Sequence, residues 1–193
     1  MAGRRRDPAL DAAIRAAATN LLHERGWGGF TVEEVSARVG VPKSTVYKRW
    51  SSRVQLAAAL LDEWVVGLVG QVTAIGDAPV DERLPLLIQT HTSFTAGPEG
   101  RAVTEVLVAD VAEPSVMELR VRVTEYRRVC HHIVESLAAH FGTPPSVDVA
   151  LVADMLLGAI WLRSLRGLAV DDGNGDSLVT VVTQLLRAGA DAR

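Results

Sequence analysis

Cysteine is nearly missing from this 193-residue chain. The single Cys130 allows neither an intrachain disulfide nor a cysteine-based zinc cluster, and it reads as a small core residue. Lysine is almost as scarce: of 20 Lys plus Arg, only two are lysines, Lys43 and Lys48. Long apolar runs are also lacking. The start, MAGRRRDPALDAAIR, has a basic cluster with no uninterrupted apolar segment behind it, so it does not read as a signal peptide. The most apolar later stretch, 149–162, is 14 residues long and contains Asp154, too short and too interrupted to span a bilayer. The expectation is a cytoplasmic protein with no membrane partner. No stretch alternates with period two between turn signals, so no sheet is expected.

Catalytic and metal signatures are absent as well. There is no GxGxxG, P-loop, HExxH or GxSxG. His131 and His132 are adjacent, about 100° apart on a helix, and cannot chelate one metal together. The run at 171–176, DDGNGD, has the wrong glycine phase for a calcium loop and no closing glutamate, so it reads as a flexible linker. The chain is expected to be no enzyme and to carry no metal and no cofactor.

What is present is ordinary in bulk and asymmetric in charge. Hydrophobic residues make up 48% and charged residues 22%, typical of a globular chain long enough for one generous domain or two small ones. Residues 1–53 carry ten basic against five acidic side chains; residues 54–193 carry ten against eighteen. A basic head on an acidic body suits a head that meets phosphates and a body that does not.

Within that head, TVEEVSARVGVPKSTVYKRWSSR at 31–53 reads as helix, tight turn, helix, and the start of a third. Thr31 is an N-cap with Glu34 three residues on, the capping-box spacing. Val35 and Val39 give the first helix one apolar face, and Gly40 stands where a left-handed C′ residue is needed. Pro42 fits the first turn of the next helix. Helix, glycine turn and helix within about twenty residues is the helix-turn-helix pattern. In the second helix Val46 and Trp50 can close onto the first. Lys43, Ser44, Tyr47 and Lys48 offer ammonium groups, a hydroxyl and a phenol on another side. That composition suits the reading of DNA better than burial.

Around this motif the chain reads as all helix. Arg4, Arg5 and Arg6 form an arm that either reaches DNA or is simply a solvated terminus. Asp7 caps a first helix with Pro8 at its first position and an apolar stripe of Leu10, Ile14, Ala17, Leu21 and Leu22. Trp27 and Phe30 plug the core of a three-helix unit. From Ser52 a long helix leads without a loop into the body, and four more stretches follow at 81–95, 101–112, from 113 to Phe141, and 147–165. The helix at 147–165 is apolar nearly all round, and a last one starts near Ser177. Two such helices from each of two chains could form an intermolecular four-helix bundle, so a homodimer is expected. Val152, Leu156, Ile160, Leu178, Val181, Val182 and Leu185 are its candidate interface residues.

The segment GFTVEEVSARVGVPKSTVYKRWSSRVQL resembles the DNA-binding segment of TetR-type (tetracycline-repressor) transcriptional regulators, over roughly residues 8–60. The resemblance implies an all-α homodimer that binds a palindromic operator in double-stranded DNA. An N-terminal helix-turn-helix domain, 1–53, would be joined by a long helix to a helical effector-binding and dimerisation domain, 54–193. It implies repression relieved by a small molecule. By the same resemblance Lys43, Ser44, Thr45, Tyr47 and Lys48 lie at or in the major groove, while Thr31, Arg49 and Arg53 hold phosphates. Ser44, Arg49 and Trp50 stand where the family often has Gly or Ala, Tyr, and Phe, which bears on operator sequence rather than on operator binding. The effector pocket would lie in the C-terminal domain, with Trp64, His91, Phe94, Met117, Tyr126, Met155 and Trp161 as large or polarizable candidates at inward-looking positions. Their character suggests an apolar or aromatic effector. The alternative is a DNA-binding regulator or architectural protein without any small-molecule effector.

Overall fold

The computed structural model describes residues 7–109, 114–166 and 174–188, the last with side chains from 178 onward. The arginine arm at 4–6, Val111 and the linker residues 171–173 lie outside the described residues. Among those described there are nine helices and no strand. They are α1 (Pro8–Arg25), α2 (Val32–Val39), α3 (Lys43–Tyr47), α4 (Arg53–Ile75), α5 (Val80–Ala96), α6 (Pro98–Val108), α7 (Pro114–Phe141), α8 (Val149–Leu165) and α9 (Asn174–Arg187). Two compact units emerge. One comprises Met1–Trp64 with Arg101–Arg120; the other comprises Val65–Gly100 with Val121–Arg193.

The first unit is built on start and stop signals that work as the sequence dictates. Asp7 accepts from the amides of Ala9 and Leu10 at the head of α1, with Pro8 following. Gly26 ends α1 at φ 63°, ψ −171°, a conformation open to glycine and strained for other residues. Ile14, Ala18, Leu21 and Leu22 of α1 meet Phe30, Val32 and Val35 in a core from which Ile14 and Phe30 are wholly excluded from solvent. Trp27 stacks on Phe30 at 5.9 Å. The beginning of α4 joins this core through Leu56, Leu60 and Leu61. Arg15 of α1 pairs with Glu63 and donates to the Ala59 carbonyl, while the His23 and Trp64 rings lie 5.3 Å apart. The unit that holds the helix-turn-helix therefore runs on to Trp64.

α4 continues unbroken into the second unit, with Val65, Leu68, Val72 and Ile75 buried there. By length and composition alone α4 could cross a membrane. Its buried leucines and valines give it instead the role of a core helix. The second unit packs Leu84, Leu87 and Ile88 of α5, Ile133, Val134 and Leu137 of α7, Val152, Leu156 and Ile160 of α8, and Val182 and Leu186 of α9. α7 and α8 are cross-tied at Asp154, which accepts from Arg127 at 2.7 and 2.5 Å and lies 2.8 Å from His131 Nε2. The Arg127 guanidinium holds the Asp154 carboxyl at a pKa of about 2.

The burial pattern of α8 and α9 corrects one expectation. Val152, Leu156, Ile160 and Val182 face the interior of their own chain, at 6% exposure or less, and are not available to a second copy. A helix apolar on every side gives no phase from its sequence, because each face fits a buried role equally well. α9 also begins at Asn174, ahead of the expected Ser177, and α6 starts at Pro98 rather than at 101.

Candidate functional site

The helix-turn-helix assembles from α2, the turn at Gly40 and α3. Thr31, extended at φ −135°, accepts from the Glu34 amide at 3.2 Å, and the Glu34 carboxylate lies at ion-pair distance from Arg25 and Arg38. Gly40 is left-handed at φ 75°, ψ 33°, and the Val41 amide returns to the Ser36 carbonyl at 3.0 Å. Pro42 is extended and forms the N-cap of α3, one position ahead of the expected first turn. α3 is a single short helix ending at Tyr47. Lys48 caps it, and the amides of Lys48, Arg49 and Trp50 turn back onto the carbonyls of Ser44 and Val46.

α3 divides as its composition requires. Val46 is wholly buried, whereas Lys43, Ser44, Tyr47 and Lys48 are exposed and Thr45 is half-buried. A 43% exposed tyrosine beside two lysines is a surface that water serves poorly and a groove serves well. Lys43 is held 2.8 Å from Glu33 of α2, a bond that raises the ammonium pKa and lowers that of the carboxyl.

Arg49 and Arg53 have structural work besides any contact with phosphate. Arg49 has a side chain only 13% exposed; it pairs with Asp11 of α1 and donates to the Thr45 carbonyl at 3.0 Å. Arg53 lays its guanidinium 4.1 Å over the Trp27 ring and donates to the Phe30 carbonyl at 3.0 Å. No sequence spacing announces the Asp11–Arg49 pair, since its members are 38 residues apart.

Of the effector-pocket candidates, His91 and Tyr126 are brought together in the second unit. His91 Nδ1 lies 2.5 Å from the Tyr126 hydroxyl, His91 Nε2 lies 3.3 Å from the Leu157 carbonyl, and the rings stack at 5.6 Å. Thr95 donates to the His91 carbonyl and accepts from Ser164 at 2.8 Å. The Thr92 hydroxyl, 9% exposed, has no hydrogen-bond partner among the described residues. Burial pushes the His91 pKa down to about 4, pushes the Tyr126 hydroxyl well up, and lifts the Cys130 thiol to about 11. The cluster is therefore uncharged at neutral pH. Phe94 and Trp64 are half-buried, Trp64 in the first unit. Met117, Met155 and Trp161 do not look inward: they are 58%, 55% and 39% exposed. Size and polarizability do not report which side of a helix a residue takes.

A buried neutral histidine makes stability depend on pH. In the unfolded chain an ordinary histidine gains its proton near pH 6.5, whereas folded His91 does so only near 4. The unfolded state thus binds more protons between these values, and stability is lost as pH falls from about 6.5 toward 4. The parent is expected to lose more melting temperature between pH 7 and pH 5 than His91→Phe. Equal losses would contradict the account.

Residues 14–60, from α1 into α4, match the family described as bacterial regulatory proteins, tetR family. Over 171 residues the chain is 29% identical to an uncharacterized HTH-type transcriptional regulator, YdeS, of Bacillus subtilis, covering 84% of this chain and 82% of that one. Over residues 14–60 this chain carries the DNA-binding region of the TetR family of transcriptional regulators. Its fold is that of TetR-family structures. It superposes on the regulator FadR from Bacillus subtilis, solved with stearoyl-CoA, with a TM-score of 0.69 at 20% identity, covering 93% of this chain and 98% of that one. It superposes on the ketosteroid regulator KstR2 of Mycobacterium tuberculosis with a TM-score of 0.66 at 18% identity, covering 94% and 96%. It is a DNA-binding transcriptional regulator and not an enzyme.

Proposed function

We propose that this chain is a homodimeric repressor that leaves a palindromic operator when a small, neutral, apolar molecule enters its C-terminal part. In this reading the N-terminal residues, 1–53, read DNA and the rest, 54–193, bind the effector and the second copy. Lys43, Ser44, Thr45, Tyr47 and Lys48 meet base edges, while Thr31, Arg49 and Arg53 steady the phosphates. The observation that carries the effector is the polar chain of buried His91, Tyr126 and Thr95 with half-buried Ser164, and beside it the Thr92 hydroxyl, unpaired among the described residues. An unpaired hydroxyl such as that of Thr92 has a cost in an apolar core unless something uses it. The cluster's groups are neutral, so a ketone, ester or alcohol could be received there, whereas a carboxylate would meet no countercharge. An apolar, uncharged effector accords with the ketosteroid regulator named above, whereas stearoyl-CoA shares only its apolar acyl chain with such a molecule.

The second copy is supported by a stripe on α8. Leu151, Met155, Leu162 and Leu165 are each more than half exposed, at alternating steps of four, seven and three. Gly158 lies between them with open space where a side chain would be. Val181 and Leu185 of α9 add 47% and 37% exposed apolar surface, and Leu178 is half-buried. This is the spacing of a helix–helix seam, and exposed apolar surface of this extent marks an interface.

The effector reading is tested by releasing the protein from fluorescently labelled operator DNA with paired compounds of one carbon skeleton, one a ketone or alcohol and the other a carboxylate. Release by the neutral member, needing about tenfold more compound after His91→Phe, is expected. Equal release by both members, or no change in His91→Phe, would sink it.

A further inference from the structure

The turn between α1 and α2 is held from outside the helix-turn-helix. The Trp27 amide donates to Glu105 Oε2 of α6 at 2.6 Å, across 78 residues of sequence. Gly26 makes room for it. A Cβ there would come within 2.9 Å of Glu105 Oε2, and the backbone is already left-handed at φ 63°. Trp27 is also where the reading head converges, because its ring stacks on Phe30 and lies under the Arg53 guanidinium that binds the Phe30 carbonyl.

The other end of α6 is fixed just as tightly. Gly100, buried in its first turn, sits so near α5 that a Cβ would fall 2.3 Å from the Phe94 carbonyl oxygen and 2.7 Å from Thr95 Cα. Thr95 is itself bonded to the His91 carbonyl.

We infer that Glu105 is a positioning residue for DNA reading: through the Trp27 amide it holds the turn ahead of the helix-turn-helix in the arrangement that fits the operator. The inference rests on the assignment of α3 as the DNA reader. It does not require that the effector be identified. Reach, rather than charge, is the property that matters. Glu105→Gln keeps an acceptor oxygen at the same reach; Glu105→Asp keeps the charge one methylene too short.

The test measures operator and scrambled-duplex binding by fluorescence anisotropy, together with hydrogen exchange at the Trp27 amide, for the parent, E105A, E105D and E105Q. E105Q is expected to bind operator within about threefold of the parent, while E105A and E105D lose about tenfold or more, the scale of one lost bond to a part-buried amide. Trp27 exchange rises about tenfold in the same two variants, and binding to scrambled duplex stays nearly constant. A merely structural role would lower the melting temperature and leave the affinity of folded protein unchanged. Should E105A fail to fold, the pair E105D and E105Q decides. E105D matching the parent while E105Q loses binding would overturn the inference. So would faster Trp27 exchange with unchanged operator affinity. A parent that does not discriminate operator from scrambled duplex would overturn the DNA-reading assignment itself, and the latch then fails if Trp27 exchange in E105D equals that of the parent.

Discussion

Met155→Arg combined with Leu162→Arg is expected to yield a folded monomer whose operator affinity falls at least about 100-fold. Both side chains are 55% exposed in the single chain, so arginine there costs the monomer little. In a dimer seamed along α8 the same positions would bury four like charges with no partner, a penalty of several kcal/mol per desolvated ion. Two heads are needed to span successive major grooves about 34–36 Å apart, so monomerisation removes half of the phosphate and base contacts at once. Sizing with light scattering gives the oligomeric state, and circular dichroism reports whether the fold survives. Leu156→Ala is the informative control. At 2% exposure it is expected to cost about 2–5 kcal/mol of stability through cavity formation, with the dimer retained in whatever remains folded. A doubly charged variant that stays dimeric and binds operator normally would contradict the assignment of this stripe.

Phe30→Ala is expected to be the most destabilising single truncation in the DNA-reading unit. Its ring is wholly buried, stacked on Trp27, and its carbonyl accepts from Arg53. Removing it should cost about 3–5 kcal/mol, a large share of the 5–15 kcal/mol typical of a whole protein. Urea unfolding should show a lower midpoint, and operator binding should be lost with the structure of the head rather than by loss of a contact. Lys48→Ala, on an exposed side chain, should leave the midpoint within about 0.5 kcal/mol of the parent. A Phe30→Ala protein less than 1 kcal/mol down would mean that Trp27 and Arg53 hold the turn without it.

Local signals were the legible part of this sequence. Asp7, Thr31, Gly26 and Gly40 fix helix ends through their own backbone and side-chain chemistry, and each lies where its residue type requires. The separation of Val46 from Lys43, Ser44, Tyr47 and Lys48 is likewise a matter of helical spacing within one turn. What was not legible depends on partners distant in sequence. The phase of α8 could not be read, because its apolar residues surround the helix; only packing against α5 and α9 distinguishes Leu156 from Met155. The internal roles of Arg49 and Arg53 follow from Asp11 and Trp27, and the hold on Trp27 comes from Glu105, none of which any motif connects. The size of Met117 and Trp161 suggested burial, whereas their exposure is set by neighbours that the sequence does not name.

The most direct test of the central claim is fluorescence anisotropy of the parent and Lys48→Ala on the gene's own upstream DNA against a scrambled duplex, across a salt series. The account predicts nanomolar, sequence-selective binding with a steep salt dependence for the parent. For Lys48→Ala it predicts a loss of about 1–3 kcal/mol on the operator with little change on the scrambled duplex. Equal binding of the parent to both duplexes, or an equal loss on both by the variant, would contradict the reading of bases by this face of α3.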